Sequence, residues 1–180
     1  MLSFTKYRSA CLLALTSIDL CSPAMAEPPA LQTPAPVIYL ADNLDEVDAL
    51  GWCIDTLGRG VSEQLQAHSC KPQGGDVQFS FDGETGQIKS AEFAGKCMTL
   101  SEPANEAVPF GLKHCLEDNA SQQFAYATET MQFTLASDQT LCVSVADTSR
   151  SAGPFMSRDL TLTPCQSTDA IFMQWVIKSS

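Results

Sequence analysis

The stretch Cys97-Met98-Thr99-Leu100, continued after a loop by Phe110-Gly111-Leu112-Lys113-His114-Cys115 and then by Gln122-Gln123-Phe124-Ala125-Tyr126, decides the fold. The same grammar stands upstream as Cys53-Ile54-Asp55-Thr56, Leu65-Gln66-Ala67-His68-Ser69-Cys70 and Phe79-Ser80-Phe81. It stands downstream as Cys142-Val143-Ser144-Val145, Leu160-Thr161-Leu162-Thr163-Pro164-Cys165 and Trp175-Val176-Ile177. The first cysteines are 44 and 45 residues apart, the second 45 and 50, and the aromatics 45 and 51. Three copies at one period define a repeat architecture. The third copy carries five or six extra residues, which its glycine, proline and serine content places in a loop around Asp147 to Ser157.

Within each copy the apolar residues alternate with period two, which is strand spacing. Leu65 and Ala67, Phe110 and Leu112, and Leu160 and Leu162 share one face; Gln66 and His68, Gly111 and Lys113, and Thr161 and Thr163 share the other. Ile88 and Phe133 each precede a first cysteine by nine residues. Their counterpart before Cys53 is either Leu44, which keeps the spacing, or Ile38, which has the better strand context. Four short strands per copy make an all-β domain of about twelve strands. No copy can bury its apolar face alone, so the three must share one core. That core takes Ile54, Met98 and Val143, the apolar strand residues above, and Phe79, Phe124 and Trp175.

The chain has 180 residues, the length of one domain. Lys6 and Arg8, the apolar run Ala10 to Ile18 and the small-x-small Ala24-Met25-Ala26 read as an export signal over residues 1–26, with a short membrane anchor as the alternative. Its removal takes away Cys11 and Cys21 and leaves six of the eight cysteines. An even number in an exported chain reads as a disulfide framework. The repeat selects the pairing, one bridge per copy flanking its longest loop: Cys53 with Cys70, Cys97 with Cys115, Cys142 with Cys165. Each bridge contributes on the order of 3 kcal/mol. Zinc needs closer-set pairs than these. Residues 27–36 form a proline-rich leader, expected to be extended and mobile. Val37 to Leu40 is the expected first strand. Asp42, Asp45, Glu46 and Asp48 lack EF-hand spacing and read as a solvated acidic loop. The formal charge is −11, and loss of Lys6, Arg8 and Asp19 leaves the remainder one unit more acidic. Such a chain is repelled by phosphate backbones and anionic lipid, so nucleic acid is a poor partner. No apolar run reaches the length of a membrane-spanning helix.

These residues resemble the ricin-type β-trefoil lectin domain, known for its Q-x-W repeats. The resemblance covers about Val37 to Ser180, with copies at about 37–86, 87–131 and 132–180. Gln122-Gln123-Phe124 is the best match to the motif; Phe79 and Trp175 keep the aromatic but Val77 and Met173 replace the glutamine. The resemblance implies a β-trefoil with pseudo-threefold symmetry and up to three shallow sugar sites. A family site uses an aspartate two residues after the first cysteine to accept hydrogen bonds from sugar hydroxyls. An aromatic two before the second cysteine stacks on the ring, and polar side chains complete the contacts. Carried onto this chain, the first copy has Asp55, Gln66, His68 and Asp76 at those places. The second has Thr99, Gly111, Lys113 and Ser121, and the third Ser144, Thr161, Thr163 and Phe172, with neither carboxylate nor stacking ring. At most one competent site is therefore expected, in the first copy. Gln122 is expected to serve structure by satisfying backbone groups.

No catalytic motif occurs. Asp55 and Asp76 could in principle act as paired carboxylates, but a shallow site gives no enclosure to raise one of them. Two functional readings stay open: an exported carbohydrate-binding module, periplasmic or secreted, or a trefoil that binds a protein and has lost sugar recognition.

Overall fold

A computed structural model describes residues 28–58, 63–72, 74–101 and 109–180. The expected export signal, 1–26, lies outside the described residues. The first copy comprises β1 (Val37–Leu40), β2 (Trp52–Thr56), β3 (Leu65–Ser69) and β4 (Phe79–Asp82). The second comprises β5 (Gln87–Ser90), β6 (Lys96–Leu100), β7 (Phe110–His114) and β8 (Phe124–Ala127). The third comprises β9 (Gln132–Leu135), β10 (Leu141–Val145), β13 (Leu160–Pro164) and β14 (Trp175–Lys178), interrupted by a hairpin of β11 (Arg150–Ala152) and β12 (Phe155–Arg158). The extra residues of the third copy are thus not a plain loop. They pair in register, Ser151 opposite Met156, around the left-handed Gly153.

The three copies share one register. Cys53 lies opposite His68, Cys97 opposite Lys113 and Cys142 opposite Thr163. On the other edge Tyr39, Lys89 and Thr134 lie opposite the same three cysteines. Ile38, Ile88 and Phe133 are therefore equivalent, and Leu44 sits in the β1–β2 loop with φ of 55°. A single 3₁₀ turn precedes the last strand of each copy, at Gly75–Val77, Ala120–Gln122 and Ala170–Phe172. Gly86 and Met131, both left-handed, occupy matching turns between the copies. The Gly86 carbonyl accepts the Phe124 amide at 2.7 Å, and the Met131 carbonyl accepts the Trp175 amide at 2.6 Å. A Cβ at Gly86 would stand 2.8 Å from the Phe124 oxygen, so no side chain fits there without a shift.

The copies close on one core of Ile38, Trp52, Ile54, Phe79, Met98, Phe124, Phe133, Val143, Trp175 and their neighbours, all buried. Leu162 is half-buried against it. All three disulfides form within copies: Cys53–Cys70, Cys97–Cys115 and Cys142–Cys165, with Cα separations of 5.2, 5.0 and 5.1 Å. The fold is an all-β trefoil.

Residues 28–36 differ from the mobile leader expected. The Gln32 and Thr33 amides donate to the Cys70 carbonyl, the Thr33 hydroxyl to the Lys71 carbonyl, and Leu31 packs beside the Cys53–Cys70 bridge. The proline-rich composition leaves the segment extended, and an extended chain satisfies its amides on a neighbouring backbone. The acidic loop also differs from a purely solvated one. Asp48 accepts the Ser69 hydroxyl, and Glu46 lies 3.6 Å from the Arg158 guanidinium, both side chains nearly buried.

Candidate functional site

Asp55 and Gln66 lie directly opposite each other on β2 and β3. His68 follows two residues on along β3, and Asp76 enters from the 3₁₀ turn before β4. The structure brings these four expected residues together. Gln66, His68 and Asp76 line a cleft of ≈ 870 Å³, and Asp55 lies fully buried beneath it.

A residue the sequence reading did not select joins them. The Lys71 Nζ lies 3.2 Å from Asp55 Oδ2 and 3.4 Å from Asp76 Oδ2. Its backbone follows Cys70 directly, so the disulfide that fixes Asp55 from one side fixes Lys71 from the other. Asp55 Oδ1 and Asp76 Oδ1 are buried without a hydrogen-bond partner among the described residues. Contrary to the expectation of a site too shallow to raise a carboxylate, burial raises the Asp55 carboxyl to about 7, against the pull of the Lys71 ammonium and with a further push from Asp76. Burial lowers the His68 imidazole below its ordinary value, so the ring is neutral at neutral pH. Its Nδ1 lies 3.0 Å from the Ser69 carbonyl, a hydrogen bond that requires the proton on Nδ1.

The inserted hairpin supplies the far wall. β12 pairs with β3, with Ser157 opposite His68 and Arg158 opposite Ala67. The Ser69 hydroxyl accepts the Met156 amide at 2.9 Å. Arg158 anchors the hairpin: it donates to the Ala146 and Asp147 carbonyls at 3.0 and 2.8 Å, and its guanidinium lies 4.5 Å from the centre of the Trp52 ring. As a result β3 is buried along its whole length, whereas β7 exposes Lys113 and His114. The His68 ring meets Phe155 edge-on at 5.8 Å. Arg150 Nη2 donates to the Gln66 side-chain oxygen at 3.3 Å, and Nη1 pairs with Asp159. Sequence pattern could flag the insertion but not where it would fold back.

At the matching positions of the other copies the polar groups pair with one another, and a smaller cleft of ≈ 330 Å³, lined by Lys113, His114 and Gln122 among others, lies at the second. In the second, the Gln122 amide donates to the Thr99 hydroxyl at 2.9 Å and the His114 carbonyl at 2.8 Å, and its oxygen accepts the Leu116 amide at 2.8 Å. A Cβ at Gly111, the position of Gln66, would meet the Glu63 carbonyl at 2.5 Å. In the third, the hydroxyl of Ser144 lies 2.8 Å from those of both Thr161 and Thr163. Gln122 is structural, as expected. Gln122→Ala is expected to cost about 2 kcal/mol, because it removes three hydrogen bonds made by a buried side chain. Urea denaturation measures this, and a loss under about 0.5 kcal/mol would remove the assignment.

Among the described residues the geometry is that of a trefoil with a polar cleft of ≈ 870 Å³ at the first copy and a smaller one of ≈ 330 Å³ at the second. The ricin-type beta-trefoil lectin domain model matches residues 43–178, and the chain belongs to that family. A search of curated protein sequences returned no match. Among solved structures the chain is similar to GalNAc-T7 crystallised with UDP, GalNAc and Mn2+, at 16% identity and a TM-score of 0.53. That match covers 84% of this chain but 23% of the other, so the chain spans about a quarter of that protein. It is also similar to the solution structure of the mdaA-1 domain, at 13% identity and TM-score 0.55, over 86% of this chain and 98% of that one. Cytolethal distending toxin from Actinobacillus actinomycetemcomitans matches at 14% identity and TM-score 0.50, over 80% and 91% of the two chains. At these identities the likeness concerns the fold. Among the described residues no helix is long and apolar enough to cross a membrane.

Proposed function

We propose that the protein is an exported carbohydrate-binding module, secreted or periplasmic, with a single site in the first copy built on Asp55, Gln66, His68 and Asp76. The observation that carries this is the ≈ 870 Å³ cleft that Gln66, His68 and Asp76 line over the buried Asp55, with the Lys71 ammonium held between the two carboxylates. The polar side chains on that cleft, Lys71 among them, offer hydrogen bonds to sugar hydroxyls. Three disulfides favour an oxidising compartment, and the family favours binding over catalysis. The acidic balance argues against nucleic acid and anionic membranes as partners. Expected result: the chain binds a saccharide on a glycan array, and Asp55→Ala abolishes the signal, because it removes the anchor of Lys71 beneath the cleft. Binding that persists in Asp55→Ala would move the site elsewhere.

The second reading, a trefoil that binds a protein, is favoured by Lys71, which already occupies Oδ2 of both carboxylates. It requires silence on the array together with a saturable protein partner.

A further inference from the structure

The groups a ligand would meet first are not the ones the lectin pattern names. Asp55, Gln66, His68 and Asp76 are all buried, at 0, 5, 6 and 8% exposure. In front of each carboxylate stands the Lys71 ammonium. The Gln66 oxygen is taken by Arg150, whose side chain is 44% exposed. Beside His68 stands the half-buried ring of Phe155. The inserted hairpin of the third copy brings Arg150 and Phe155 to the cleft, and six of its consecutive residues, 150–155, line it.

We infer that the first-copy site is completed by this hairpin and takes an anionic saccharide, a sugar ring bearing a carboxylate or a sulfate. Phe155 covers the apolar face of the ring, and Arg150 and Lys71 hold the anionic group. The inference rests on the lectin reading above and names its ligand class. The carboxylates below act as positioning residues: they fix the Lys71 ammonium, which keeps an N–H to donate outward. Arg150 presents a planar donor set suited to a carboxylate or sulfate, and its bond to Asp159 is exposed and weak enough to exchange. Glu92, the remaining carboxylate on the lining, is exposed and screened by water. A neutral sugar would offer neither cation a charge to exchange for its present carboxylate partner.

The test is titration calorimetry of the full chain, disulfides intact, with lactose, sialyllactose and sulfated lactose, and with galactotriose and trigalacturonate as a second matched pair. At least one anionic member is expected to bind about tenfold or more tighter than its neutral counterpart. The carboxylate and sulfate arms identify which group is read. Arg150→Gln lies on an exposed edge strand, where folding is insensitive, and is expected to remove most of that preference. Lys71→Met is expected to do the same, and Phe155→Ala to weaken charged and neutral sugars alike. Neutral sugars binding as tightly as charged ones, or a preference that survives Arg150→Gln, would overturn the inference and leave the lectin reading standing, provided Asp55→Ala still abolishes binding. No saccharide binding on a broad array would overturn both.

Discussion

Trp175→Ala is expected to destabilise the protein by about 4–5 kcal/mol, moving the urea midpoint by about 2 M at unchanged slope. Trp175 is fully buried and belongs to the one core that all three copies share. It also joins the two ends of the trefoil: β14 pairs with β1, and Trp175 lies opposite Leu40. Its indole N–H donates to the Val143 carbonyl at 2.8 Å, and its own carbonyl accepts the Tyr126 hydroxyl at 2.8 Å. Truncation therefore removes apolar volume and leaves a buried carbonyl without its donor, two penalties of the same sign. Leu116→Ala, at a residue 57% exposed, is the control and should stay within about 0.5 kcal/mol. A loss below about 2 kcal/mol at Trp175 would mean that the third copy does not close the core.

What the sequence made legible was whatever the repeat encodes three times. The strands, the cysteine pairs and the apolar positions recur at one spacing, so each copy tests the other two. The β1 strand came out at Val37–Leu40, as read from its apolar, β-branched run. Four strands per copy also came through; the two strands beyond twelve are the inserted hairpin. What occurs only once was not legible. Nothing repeats the Asp147 to Ser157 insertion, so composition could say only that the chain turns there. Its pairing with β3 is a long-range choice, made by Ser69 and Arg158 on surfaces that no spacing rule predicts. Lys71 was missed for the same reason: the other copies hold Leu116 and Gln166 after their second cysteine, so no pattern marks it. The four expected site residues did converge, yet the family pattern could not show that other side chains stand in front of them.

Because burial holds the Asp55 carboxyl up at about 7, the protein is expected to lose stability as pH rises from about 4 to about 7 on account of this one group. The sign follows from proton counting. In that window the folded chain keeps a proton on Asp55 that the unfolded chain has already released, at its ordinary value of 3.8. Raising the pH therefore favours the unfolded state, by up to about 1.4 kcal/mol per pH unit and on the order of 4 kcal/mol across the window. Other groups act differently. His68, held below 6.5, binds fewer protons when folded, so it opposes Asp55 in the upper part of the window. Asp82, drawn down to about 2 by Lys89 and neighbouring amides, and Asp138, drawn down by Thr140, contribute stability that is lost only as pH falls below about 4. The difference between wild type and Asp55→Asn isolates the term, since asparagine has the same shape and does not titrate. Urea midpoints measured from pH 4 to pH 8 should show wild type losing ground to the variant steadily up to about pH 7 and then levelling. A flat difference would mean that Asp55 stays ionised throughout, with the Lys71 ion pair outweighing burial. The same titration governs the site, because an ionised Asp55 is the form that pins the Lys71 ammonium. Saccharide binding should accordingly strengthen over the pH range in which the folded protein becomes less stable, a coupling that a site independent of Asp55 would not display.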